Sequence, residues 1–144
     1  MFRGTAGCAT CHMVNGKGGL LGPDLSRVGA SRSRQYLVES IRTPDTELSD
    51  GMSDPNNHYV SPLIYDTVTI TLVSGEQITG VAKDEDTFSI QLMDTNQKLR
   101  LYEKSEVKSV QHENKSLMPS YDETTIPPAA LEDILAYLES LRGM

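Results

Sequence analysis

The sequence predicts an α+β protein, in which helical segments at the two ends enclose five short strands. Apolar residues recur at the spacing of a helix over 33–42 and again over 131–141. Between these segments, apolar and polar residues alternate with the period of a strand that has one buried face. We therefore expect a discontinuous helical domain over 1–57 and 113–144. A small five-stranded antiparallel meander, or partly closed barrel, is expected to be inserted over 58–112.

Local signals order the N-terminal part of the helical domain. Residues 2–11 predict a short helix. The Asn-Gly-Lys-Gly-Gly run at 15–19 predicts a flexible loop, because glycine tolerates backbone angles that other residues avoid. The Gly-Pro-Asp-Leu run at 22–25 predicts a turn, and a second helix is expected over 33–42, with Pro44 beyond its end.

The strands and the last helix are predicted in the same way. Apolar runs separated by turn-forming residues indicate strands at Val68 to Leu72, Ile78 to Lys83, Phe88 to Leu92, Leu99 to Leu101 and Val107 to Val110. Pro127-Pro128 opens a helix whose apolar residues recur at i, i+3, i+4 and i+7. Gly143 is expected to end that helix as the residue past its C-cap.

Cys8-Ala9-Thr10-Cys11-His12 is a Cys-x-x-Cys-His run, the attachment motif of a c-type haem. Each thiol can form a thioether to the porphyrin, and the histidine that follows can bind the iron. A thioredoxin-like redox pair would need a βαβ context, and a structural zinc site would need further cysteines, which the sequence lacks. The motif therefore predicts one covalent haem c, attached at Cys8 and Cys11 and bound by His12.

An electron-transfer haem needs a second axial ligand opposite His12. Met118 is the favoured candidate, because Pro119 stiffens an extended loop that can hold a thioether without helical support. His58 and His112, which bracket the strands, are the main alternatives. The other candidates are less well placed in the sequence, and they are Met13, Met52, Met93 and Met144.

Three arginines, Arg27, Arg32 and Arg34, lie close together in a chain that is otherwise acidic. One interpretation is a solvated start of a helix. The other is that one or two of them, together with Tyr36, bind the haem propionates, where charge-assisted hydrogen bonds are strong. The sequence leaves both open.

The chain has 13 Lys and Arg against 20 Asp and Glu, a net charge of −7. Such a surface disfavours nucleic acid and anionic lipid, and it favours a redox partner protein with a basic docking patch. No apolar run approaches the length of a membrane span, and residues 1–20 lack the features of a secretory signal. Because haem c is attached outside the cytoplasm, we expect a mature protein or an excised domain in the bacterial periplasm or another extracytoplasmic compartment.

Several segments match one family pattern: the motif at 8–12, Gly22-Pro23-Asp24-Leu25, Arg34-x-Tyr36-Leu37, Pro44, Ser116-Leu117-Met118-Pro119 and Ala136-Tyr137-Leu138-x-x-Leu141. Together they resemble class I cytochromes c. More closely, the chain resembles the haem-binding domain of Planctomycetes, Verrucomicrobia and Acidobacteria. In that family a β segment of the form Val68-x-Ile70-x-Leu72-x-x-Gly75, followed by Gly80, precedes the Met-Pro loop.

The resemblance implies that His12 and Met118 are the axial ligands, and that the Pro23 carbonyl oxygen accepts the ring N–H of His12. It also implies a fused or associated dehydrogenase as an alternative redox partner. The N-terminal helix, which would cross the last helix near Tyr137 and Leu138, is shorter than is usual in this family.

The inserted strands resemble, more weakly, an Sm-like or SH3-like barrel. Sm-like folds often bind RNA, but residues 59–112 hold five basic and eight acidic side chains, which leave a net charge of −3. This sign disfavours phosphate binding. We therefore expect a structural or docking role for the strands.

Two functions fit these observations. The first is an electron-transfer protein that is not an enzyme, in which both axial positions of the iron are filled. The alternative is a haem-based sensor or small-molecule-binding domain, in which a labile Met118 leaves to admit a ligand. His/Met ligation favours electron transfer, because it closes the iron and raises its potential.

Overall fold

The computed structural model describes residues 1–47 and 65–143, and it divides into two compact units. The first unit comprises Met1–Glu47 and Met118–Met144, and the second comprises Leu48–Leu117. Three candidate ligands, Met52, His58 and Met144, lie outside the described residues, as does the predicted domain boundary at 57 and 58.

The first helix, α1, spans only Cys8–Cys11, so the prediction of a helix over 2–11 was wrong in extent. Residues 2–6 form turns, and Gly7 has the left-handed angles φ 68° and ψ 18°, which no continuous right-handed helix allows. Phe2 and Ala6 are nevertheless buried, and the Phe2 ring packs on Tyr137 with 5.1 Å between ring centroids. The N-terminal segment thus contacts the last helix without being helical itself.

A β-hairpin replaces the flexible loop that was predicted at 15–19. Strands β1 (Met13–Val14) and β2 (Lys17–Gly18) pair antiparallel around Asn15 and Gly16. Both turn residues have positive φ, 50° and 77°, as the tight Asn-Gly hairpin turn requires. Gly16 therefore specifies a tight turn and not a flexible loop.

Three more helices complete the first unit: α2 (Val28–Ser31), α3 (Arg34–Arg42) and α4 (Pro128–Ser140). The predictions for α3 and α4 are confirmed, whereas α2 was not predicted. Ser33 caps α3 by accepting a hydrogen bond from the Tyr36 N–H. The C-cap of α4 is Leu141, so Gly143, with φ 78°, lies one position further along than expected.

The short helix α2 lies against the C-terminal end of α4. The Gly29 N–H donates to the Leu141 carbonyl oxygen at 2.8 Å. A Cβ atom on Gly29 would lie 2.3 Å from the Glu139 carbonyl oxygen, which is far inside van der Waals contact. Only glycine permits this approach. The core beneath these helices consists of Phe2, Ala6, Val14, Leu37, Ile41, Ile126, Leu131, Ile134, Leu135, Leu138 and Leu141.

The second unit contains the five predicted strands in one antiparallel sheet. They are β3 (Val68–Leu72), β4 (Gln77–Glu85), β5 (Ser89–Asp94), β6 (Leu99–Glu103) and β7 (Val107–His112). Their order is β6-β5-β4-β3-β7, so the last strand pairs with the first and Val68 lies opposite His112. The sheet is therefore a four-stranded meander to which β7 returns at the β3 edge.

One face of the sheet forms the core of the second unit. Its buried residues are Val68, Ile70, Ala82, Ile90 and Leu92. Phe88, which was predicted to begin the third strand, precedes β5 and is 74% exposed. The alternation therefore identified the buried face of the sheet but placed the start of this strand one residue early.

Candidate functional site

His12 directly follows α1, and a hydrogen bond from its side chain fixes the orientation of its ring. Its Nδ1 lies 2.8 Å from the carbonyl oxygen of Pro23, the contact that the family resemblance implies. Because a carbonyl oxygen only accepts, Nδ1 carries the proton and Nε2 keeps its lone pair. Burial lowers the pKa of His12 despite the opposing effect of this hydrogen bond, so the ring is neutral. A buried neutral imidazole with a free Nε2 is the form that binds a metal.

Gly22 allows the turn to lie against this imidazole. A Cβ atom at position 22 would lie 2.7 Å from Cε1 and 2.9 Å from Nδ1 of His12. The Gly22 N–H donates to the Cys11 carbonyl oxygen at 2.8 Å, which fixes the turn to the Cys-x-x-Cys-His motif. The sequence predicted a turn at Gly22 but indicated no role for this residue in the site. The signal that was available is the glycine directly before Pro23.

The two cysteines lie at the ends of α1, both as free thiols that are partly exposed. Burial raises the pKa of each thiol. The backbone between them is held from outside the helix, because the Gly19 N–H donates to the Ala9 carbonyl oxygen at 2.9 Å. Cys8, Cys11 and His12 are thus presented together on one short, fixed segment.

A family model described as cytochrome c matches residues 2–83, which is more than half of the chain. This chain belongs to the cytochrome c family. No curated protein matches it. Members of the family bind haem c covalently, and the two free thiols and the available Nε2 of His12 fit that group. The match includes Pro23 but ends before Met118, so it leaves the second axial ligand unassigned.

Met118 lies at the start of the C-terminal part of the first unit, half-buried and packed against its core. Residues downstream of it are tightly anchored. Asp122 accepts hydrogen bonds from the N–H and hydroxyl groups of both Thr124 and Thr125, and Ile126 is 1% exposed. The loop that carries Met118 therefore leads directly into a fixed turn.

Tyr121 connects the Met118 loop to two other segments of the first unit. Its hydroxyl donates to the Ala6 carbonyl oxygen at 3.0 Å, and its N–H donates to the Ile41 carbonyl oxygen at 3.1 Å. Its own carbonyl oxygen accepts from the Arg42 guanidinium at 2.9 Å. No local pattern in the sequence indicated a role for Tyr121.

The Tyr121 hydroxyl also lies near the haem attachment points. Burial raises the pKa of this hydroxyl, and the charges that Cys8 and Cys11 would carry as thiolates raise it further. The Tyr121 hydroxyl binds Ala6, two positions before Cys8, and both Cys8 and Tyr121 pack against the core of the first unit, so the loop that follows Met118 borders the Cys-x-x-Cys-His segment.

His112, an alternative axial ligand, is held by two carboxylates in the second unit. Its Nδ1 lies 3.2 Å from Asp66 and its Nε2 lies 3.0 Å from Glu85. Burial lowers the pKa of His112, but the hydrogen bonds to Glu85 and Asp66 outweigh that effect and raise it above the ordinary value. These contacts engage both ring nitrogens, and the protonated ring has no lone pair for iron.

The predicted propionate contacts remain predictions. Arg34 forms ion pairs with Glu132 and Glu139 on α4, so a propionate would compete there with two carboxylates. Arg32 lies over the Tyr36 ring, with its guanidinium carbon 5.0 Å from the ring centroid. The structure therefore brings Arg32 and Tyr36 together, and it places Arg34 against the last helix.

Replacing Gly22 with alanine is expected to lower haem occupancy, because the new methyl group displaces the His12 imidazole. Gly4→Ala is the matched control, since a Cβ atom there meets nothing within 4 Å. After maturation, the haem content per protein is measured from the pyridine haemochrome spectrum. We expect a several-fold lower content in Gly22→Ala, and equal contents in the two variants would contradict the packing argument.

Asp122→Asn is expected to show how acid acts on the Met118 loop. Hydrogen bonds from Thr124 and Thr125 lower the pKa of the Asp122 carboxyl from 3.8 to about 2. A lowered pKa means that the stabilising effect is present above pH 4 and is lost as the pH falls towards about 2. The free energy of unfolding should thus be lower in Asp122→Asn at pH 7, and the difference from the parent should shrink at pH 2–3. Glu123→Gln serves as the control, and a difference independent of pH would refute the assignment.

Proposed function

We propose that this chain is a monohaem electron-transfer protein in which His12 and Met118 bind the iron from opposite sides. The observation that carries the proposal is the Nδ1 to Pro23 hydrogen bond, which leaves the His12 Nε2 free in a neutral, buried ring. The single Cys-x-x-Cys-His motif gives one haem per chain. When bound, that group supplies a one-electron change between ferric and ferrous iron.

Four observations support Met118 as the second ligand. Its side chain is half-buried against the core of the first unit, and its loop is anchored through Tyr121. His112 is engaged by Asp66 and Glu85. Met93, another candidate, is buried within β5 and is only 3% exposed.

Electron transfer is favoured over sensing because two protein ligands leave no vacant position on the iron. Cytochromes c are generally electron carriers rather than enzymes, and we propose the same here. A neutral thioether is a soft donor that favours ferrous iron, so Met118 would keep the potential high. Exposure of the reduced protein to carbon monoxide tests the alternative, because a sensor with a labile Met118 would bind it readily.

The expected partner is a redox protein with a basic docking patch, or a fused or associated dehydrogenase. The net charge of −7 supports the first, because opposite charge increases the rate of encounter. Among residues 1–47 and 65–143, no helix is long and apolar enough to span a membrane. Cytochrome c domains are typically extracytoplasmic in bacteria, and we propose the periplasm as the compartment.

We further propose that residues 58–112 are a β domain inserted into a class I cytochrome c domain formed by 1–57 and 113–144. This is the arrangement of the haem-binding domain of Planctomycetes, Verrucomicrobia and Acidobacteria. The pairing of β3 with β7 supports it, because the chain enters and leaves the sheet at neighbouring points. Hydrogen bonds continue this pairing beyond the proposed boundary at 112 and 113, from the Thr67 N–H to Lys115 and from the Glu113 N–H to Thr67, so residues 113–117 have their contacts with the second unit.

Met118→Ala is expected to remove the sulfur-to-iron charge-transfer band of the oxidised protein and to lower the midpoint potential. The potential falls because loss of a soft donor disfavours the ferrous state. Met93→Ala is the matched control and should keep the band. If the parent lacks the band and His112→Ala, not Met118→Ala, changes the visible spectrum, the assignment of Met118 is wrong.

Replacing residues 59–112 with a short Gly/Ser linker is expected to leave the visible spectrum unchanged. The shorter loop lowers the entropic cost of closure by about 0.6 kcal/mol for each halving of its length. The spectrum and midpoint potential of this variant are compared with those of the parent and of Met118→Ala. Loss of the charge-transfer band on deletion would show that the strands contribute to the haem site, and the proposed domain division would fail.

A further inference from the structure

Tyr121 forms hydrogen bonds to other segments of the first unit through both its backbone and its side chain. It lies three positions after Met118 and two after Pro119. Its N–H and carbonyl oxygen bind the end of α3, through Ile41 and Arg42. Its hydroxyl binds Ala6, in the segment that precedes Cys8. The loop is therefore fixed at two separate places by one residue.

We propose that Tyr121, together with Arg42, is a positioning residue that holds the Met118 sulfur at the iron. The inference rests on the proposed ligation by Met118. Pro119 restricts the backbone between the two residues, so fixing Tyr121 limits where the Met118 side chain can lie. The turn formed by Asp122 and the buried Ile126 secures the other end of Tyr121.

The hydroxyl contact ties the two sides of the haem site to each other. Ala6 precedes Gly7 and Cys8, and helix α1 runs from Cys8 to Cys11, directly before His12. Through the bond from Tyr121 to Ala6, the loop with the proposed distal ligand is attached to the segment with the proximal one. Movement of either segment would lengthen that bond.

A thioether is neutral and a weak ligand, so the stability of its loop determines how often the iron is open to other molecules. One net hydrogen bond changes an equilibrium about fivefold, and a bond from a charged donor changes it by roughly tenfold or more. Loss of the Tyr121 hydroxyl or of the Arg42 guanidinium should therefore increase the open population by these factors. In both cases Met118 is still present, and it should still be bound to the iron in most molecules.

The test is the binding of imidazole to the oxidised, haem-loaded protein, followed by loss of the charge-transfer band. Tyr121→Phe removes only the hydroxyl, and Arg42→Met removes only the guanidinium. Tyr137→Phe is the matched control, because it removes a hydroxyl from a ring that packs on Phe2 in the same unit. Arg42→Lys, which restores a charged donor, should recover part of the effect. Imidazole affinity is measured under conditions far from the unfolding midpoint. Nearly all molecules are folded there, so a loss of global stability alone would not change the affinity.

We expect imidazole affinity to rise about fivefold in Tyr121→Phe and roughly tenfold in Arg42→Met, with Tyr137→Phe equal to the parent. If Tyr121→Phe does not fold, the imidazole affinities of Arg42→Met and Arg42→Lys decide whether the proposal holds. If the parent shows the charge-transfer band and the variants bind imidazole with the same affinity as the parent, only the positioning role is overturned. A parent whose band is absent, or is unaffected by Met118→Ala, would overturn the ligand assignment and this role with it.

Discussion

The hydrogen bond from the His12 imidazole to the Pro23 carbonyl oxygen is the constraint on which the haem site depends. It selects the tautomer with a free Nε2, and it can form only because the chain reverses direction directly after His12. The β1–β2 hairpin makes that reversal, and the Leu25 N–H closes it on the Met13 carbonyl oxygen at 2.8 Å. Gly22 then supplies the space that the ring needs. Binding chemistry and local backbone geometry are thus specified together within about fifteen residues.

Much of the fold could be predicted because its signals are local. The periodicity of apolar residues identified α3, α4 and all five strands of the sheet, and Cys8, Cys11 and His12 stand in one motif. One failure occurred where glycine was taken as a sign of flexibility, because Gly16 forms a tight turn. Gly29, for which the sequence predicted no role, allows two helices to approach closely.

The remaining features depend on contacts between residues that are distant in sequence. Tyr121 bonds to Ala6 and Arg42 across 115 and 79 positions, and no local spacing reveals such pairs. The pairing of β7 with β3 is of the same kind, because each strand taken alone fits a simple meander equally well. Sequence patterns identify which side of an element is buried, and they do not identify the element that covers it.

The pairing of β3 with β7 also bears on the order in which the protein folds. The first unit unites residues 1–47 with 118–144, so the ends of about seventy intervening residues must come together before it can form. A sheet that folds first, with Thr67 beside Glu113, replaces most of that span with a closed structure. Fewer free residues then remain to be closed, which lowers the entropic barrier to bringing the two parts together. Early formation of the sheet would thus act as an internal folding aid for the haem-binding unit.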